Sequence, residues 1–97
     1  MDILKEVHQI AADSGLFATE DIKVRMRPYD TYLVGGKAEP PFIHVFGDIM
    51  EGRSTKKKAA LSQAMVSKLK SLFPEVPYIA MNVREFEKAT YANLRSI

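Results

Sequence analysis

Hydrophobic positions recur along the chain with two periods. In Met1–Phe17, Ile3, Val7, Ile10 and Ala11 return every three or four residues with Leu4 beside them, while Lys5, Glu6, Gln9 and Asp13 fill the other side. That spacing predicts an amphipathic helix. Asp2 stands where an N-cap belongs, and Gly15 where a left-handed residue stops a helix, with Leu16 and Phe17 placed to fold back. From Ile22 to Arg27 the period drops to two, Ile22, Val24 and Met26 against Lys23, Arg25 and Arg27, which predicts a half-buried strand. Gly35–Gly36 and then Lys37 to Pro41 predict a turn or hairpin. Pro41 to Met50 is the most strand-like stretch. It sets Phe42, His44 and Phe46 on one face and Ile43, Val45 and Ile49 on the other, so it reads as an inner strand covered on both sides. Ser54 or Thr55 caps a long helix to about Phe73, with Leu61, Ala64, Met65, Leu69 and Leu72 as its buried stripe. Pro74 and Pro77 prevent its continuation. Tyr78 to Phe86 is a further strand, and the last ten residues are polar and irregular.

Two stretches resemble each other. Helix, Leu16–Phe17, linker and Ile22–Lys23–Val24–Arg25 parallel helix, Leu72–Phe73, linker and Met81–Asn82–Val83–Arg84. The second half runs strand, helix, strand, while the first runs helix, strand, so symmetry asks for another strand before Asp2. The expected fold is α+β: two βαβ-type halves with two helices on one face of a mixed sheet, the first strand missing. Residues 1–97 form a single domain on this reading.

Composition narrows the chemistry. Fourteen basic and twelve acidic residues leave a net charge of +2, too mild to imply nucleic acid by charge. Cysteine is absent, which excludes disulfides and thiolate metal sites. No apolar run approaches the length of a membrane span and no signal-peptide core follows Met1. A cytoplasmic, membrane-free protein is the expectation. His8 and His44 are too far apart to make a metal motif, so neither metal nor cofactor is expected.

Ser14–Gly15–Leu16–Phe17, Asp21–Ile22–Lys23–Val24–Arg25, Phe42–Ile43–His44–Val45 and Glu51–Gly52–Arg53–Ser54 together resemble the 5-carboxymethyl-2-hydroxymuconate delta-isomerase family of the tautomerase superfamily. The likeness runs from about Asp2 to Glu87. It implies a pair of βαβ units, a trimer or other homo-oligomer, and a place in aromatic compound degradation. It also implies an amino-terminal proline, at the tip of the first strand, whose amine moves a proton on an enol dicarboxylate. No proline precedes Pro28, and the resemblance leaves this chain without a catalytic base.

The resemblance assigns Arg53, in the Gly-Arg-Ser turn, to a substrate carboxylate, and Lys23 and Arg25 to the family's two basic strand positions. A guanidinium grips a carboxylate with two hydrogen bonds, and the start of a helix offers free N–H groups beside it. The residues alone also allow a plain surface arginine at a turn. Lys23, Arg25 and Arg27 share one strand face, which suits an anion or simply the solvated side of an edge strand. His44 between two phenylalanines reads as a satisfied core histidine. Lys56, Lys57 and Lys58 form a solvated helix face or a basic rim for an anionic substrate.

Three functions follow. The first is an isomerase of the tautomerase type on a small unsaturated dicarboxylate, inactive as this chain for want of the proline. The second is a non-catalytic, oligomeric anion-binding domain on the same fold. A small nucleic-acid module is the third, and it lacks the glycine-aromatic pattern of the RNA-recognition sheet.

Overall fold

A computed structural model describes residues 2–97. Helix α1 spans Ile3–Asp13, strand β1 Phe42–Met50, helix α2 Thr55–Leu72 and strand β2 Tyr78–Phe86. The expected start of the first helix at Met1 lies outside the described residues. Asp2 caps α1, its carboxylate accepting from the Leu4 and Lys5 N–H groups at 3.1 and 3.4 Å. The helix stops because Gly15 takes φ +72°, a conformation that needs no Cβ. It therefore ends four residues short of Phe17.

β1, α2 and β2 form one βαβ unit. The strands pair in parallel with Phe42 opposite Tyr78, Phe46 opposite Asn82 and Met50 opposite Phe86. Parallel partners need a long crossover, and α2 provides it. Ser54 starts that helix by accepting the Lys57 N–H at 3.1 Å, and Leu61, Met65 and Leu69 bury one side of it. With Ile49 they make up the buried core of the described residues. Ala64, expected in the stripe, is exposed, and Leu72 is half-buried. α2 packs on β2, and α1 packs on α2. Around the core lie Ile43 and Val45 of β1 and Ile79, Met81 and Val83 of β2, all half-buried. No helix among the described residues is long and apolar enough to cross a membrane.

The class is α+β, with three differences from expectation. The sheet among the described residues is two-stranded and parallel rather than mixed. Ile22–Arg27 belongs to neither strand. It keeps the alternation at its start, with Ile22 and Val24 half-buried and Lys23 and Arg25 exposed, but among the described residues no neighbour hydrogen-bonds to it as a ladder. Alternation fixes which face a strand buries, and says nothing of whether a partner strand lies beside it. β1 is covered on one face only, leaving Phe42, His44 and Phe46 exposed. The hairpin expectation holds: Val34 and Lys37 exchange both backbone hydrogen bonds, at 2.8 and 3.0 Å, around Gly35–Gly36.

Candidate functional site

At the carboxyl end of β1 the chain turns through Gly52, at φ +111°, which lets Arg53 point back across the turn. Its Nη1 donates to the Met50 carbonyl at 3.0 Å and its Nη2 to the Leu16 carbonyl at 2.8 Å. The guanidinium carbon lies 5.4 Å from the centroid of the Phe17 ring. Arg53 thus ties the segment after α1 to the turn before α2. A guanidinium has five N–H donors, so these two bonds leave others for a ligand.

Beside Arg53 opens a cleft of about 520 Å³, lined among others by Gly15, Leu16, Glu51, Arg53, Lys57 and Lys88. Glu51 is engaged, accepting the Lys88 N–H at 2.7 Å. Three cationic side chains against one occupied carboxylate give the cleft a positive balance. The first turn of α2 adds to it, because its leading N–H groups have no partner within the helix. Such a cleft has the size and sign for a small carboxylate anion.

Lys23 and Arg25 do not line this cleft. Both are exposed, and Arg25 lies near enough to Asp48 for its charge to act there. A single chain therefore separates Arg53 from the other two basic residues singled out in the sequence. The lysine run divides as well, since Lys58 pairs with Glu85 at 3.1 Å while Lys57 faces the cleft.

The open face of the sheet carries a second arrangement. Arg84 donates to both carboxylate oxygens of Asp48 directly opposite it, at 2.7 and 3.0 Å. That hydrogen bonding holds the Asp48 carboxyl below the usual carboxylate range, against the opposing effect of desolvation, and the Arg84 and Arg25 charges add to it. Arg84 is shifted up by the same pair. The Arg84 guanidinium lies 4.7 Å from the Phe46 ring centroid, and the His44 ring stacks on Phe46 at 4.4 Å. His44 Nε2 is 2.5 Å from Asn82 Oδ1. His44 is satisfied, as expected, but on an exposed face instead of in the core, because the described residues leave that side of the sheet largely uncovered, with Tyr32 set against Phe42 at its edge.

Sequence reasoning missed Glu51 and Lys88, which meet only because β1 and β2 end side by side, 37 residues apart in the chain. It also missed the Asp48–Arg84 pair. Its signal was present, since aligning the two strands from Phe42 and Tyr78 places these residues opposite each other. Among the described residues no group of His, Asp or Glu is arranged to hold a metal ion.

The sequence model of the 5-carboxymethyl-2-hydroxymuconate isomerase family matches residues 1–96. No curated protein matches the chain.

Proposed function

Because the chain belongs to the 5-carboxymethyl-2-hydroxymuconate isomerase family, we propose that it serves tautomerase-type proton transfer on a small unsaturated enol dicarboxylate. Arg53 holds one carboxylate in the cleft before α2, and Lys23 and Arg25 supply the second basic contact. Aromatic compound degradation in the cytoplasm is the setting, with no cofactor or metal. The observation that carries this reading is Arg53 in a positively balanced cleft, in a chain matched by the family over residues 1–96.

Proton transfer needs a base with a suitable pKa within reach of the substrate carbon. The 97 residues hold no proline ahead of Pro28. We therefore propose that this chain by itself binds the dicarboxylate and does not turn it over. A second reading is a non-catalytic, oligomeric anion-binding domain on the same fold, for which the positively balanced cleft beside Arg53 would be sufficient.

Calorimetry with a hydroxymuconate-type dicarboxylate, alongside an ultraviolet assay of its isomerisation, tests both. Binding without turnover is expected of the chain as given, and Arg53→Ala should weaken that binding about 10- to 100-fold, the range for a lost charge-assisted hydrogen bond. A form extended at its amino terminus by a proline-led alternating strand should gain turnover. Binding that persists without turnover in the extended form selects the second reading. If Arg53→Ala binds as well as the parent chain, the assignment of the cleft is wrong.

A further inference from the structure

We propose that Lys57 and Lys88 set the charge preference of the cleft beside Arg53, so that it takes an organic dianion over a monoanion of the same shape. This inference rests on the reading of that cleft as a carboxylate site, and it adds to the contact that Lys23 and Arg25 supply. It starts from the charges around the space. Arg53, Lys57 and Lys88 stand there against the carboxylate of Glu51, which leaves two positive charges. One carboxylate on a ligand neutralises half of that balance, and a second completes it. A cleft lined by one sign of charge focuses its field more than an open surface does.

The fold places both lysines deliberately. Lys88 lies just beyond β2, and its N–H donates to the Glu51 carboxylate at 2.7 Å. The group that carries the cleft's negative charge is thus the one that fixes its second lysine. Tyr91 packs on Phe86 with ring centroids 4.7 Å apart, and Arg95 pairs with Asp21. The segment that carries Lys88 is therefore held before it and after it. Lys57 reaches the same cleft from α2, where its N–H donates to the Ser54 hydroxyl at 3.1 Å. Among the described residues neither lysine is in an ion pair, whereas Lys58, next along α2, is bound to Glu85 at 3.1 Å. Both ammonium groups are left to a ligand.

The two kinds of cation divide the recognition. Arg53 is half-buried and bonded to two carbonyls, so it presents a fixed planar edge to a first carboxylate. Lys57 and Lys88 are exposed, and an ammonium on a flexible stem acts as a point charge with no set geometry. Such a pair meets a second carboxylate over a range of distances from the first. It selects by charge, not by shape.

The test is calorimetry of the full chain with muconate and with sorbate, dienes of equal length that carry two carboxylates and one. The parent should prefer muconate by about 5- to 30-fold, the range for one or two exposed ion contacts, and added salt should shrink that preference. The double variant Lys57→Gln, Lys88→Gln should bring the two affinities to within about 2-fold, because the exposed ion contacts are what separates them. Lys88→Arg keeps the charge and should keep the preference. Lys70→Gln, exposed in the last turn of α2, should behave as the parent. The Arg53 Nε–H resonance should move with both ligands. If it moves with both and the double variant still prefers muconate, the cleft is the carboxylate site and this proposal alone falls. If it moves with neither, the reading of the cleft falls and the proposal with it. A parent chain that shows no preference for muconate also overturns the proposal.

Discussion

Arg53 joins two segments by hydrogen bonds, to the Leu16 carbonyl after α1 and the Met50 carbonyl at the end of β1. Both bonds are charge-assisted and the side chain is half-buried, so Arg53→Ala should destabilise the fold by about 2 kcal/mol. Arg53→Lys keeps the charge but loses the planar fork that spans both carbonyls, and should recover only part of the loss in thermal melts. Asp48 makes a different prediction, one of pH. Its carboxyl is held low by Arg84 in the folded chain, so folding favours the ionised form. The stabilisation is complete above the ordinary carboxylate range and disappears as the pH falls through the lowered folded value. Melts of the parent chain and Asp48→Asn should therefore differ at neutral pH and converge in acid. The pair is exposed, which keeps the difference small and makes it weaken with added salt.

Each long element was written in a local pattern, and those patterns were legible. Ser54 before a run with apolar residues at helical spacing, closed by Pro74, marks α2 to within a residue. The stripe it buries is narrower than the pattern suggests, because α2 meets the sheet along Leu61, Met65 and Leu69 and leaves Ala64 outside. Leu69 is 1% exposed, so Leu69→Ala should cost about 2–5 kcal/mol, measurable as a lower denaturant midpoint with little change in slope. Gly47 gives a finer test of the sheet-to-helix side. A Cβ there would meet the terminal methyl of Met81 at 2.8 Å. Met81 can swing that methyl aside, so Gly47→Ala should be tolerated, whereas Gly47→Val should cost about 1–3 kcal/mol through overpacking. What the pattern could not supply was partnership. Ile22–Arg27 alternates as a strand does, and Phe42–Phe46 looks covered on both sides. Pairing and cover depend on other segments, which no local window contains. The same holds for the cleft: Arg53 was visible in its turn, while Lys88 reached it only through the strand register.

For the molecule as a whole, the open face of the sheet, with Phe42, Phe46 and Tyr78 exposed on it, bears on stability as much as on assembly. Among the described residues four side chains are buried, and a two-stranded sheet is marginal until something packs on it. If the open face is covered by further copies, folding and association share one free energy, and the melting midpoint must depend on concentration. By mass action, each tenfold rise in chain concentration adds about 0.7 kcal/mol of apparent stability per chain in a dimer and about 0.9 in a trimer. In a domain of this size one kcal/mol moves the midpoint by about 4–8 °C, so tenfold steps should shift the melt by several degrees. Phe46→Ala should flatten that dependence while leaving the dilute-limit midpoint almost unchanged, because the ring lies on the exposed side of the sheet and contributes little to the core of Ile49, Leu61, Met65 and Leu69. Leu69→Ala should do the reverse, lowering the midpoint at every concentration with its slope against concentration retained. The two variants together separate the stability that resides within one chain from the stability that arrives with the next.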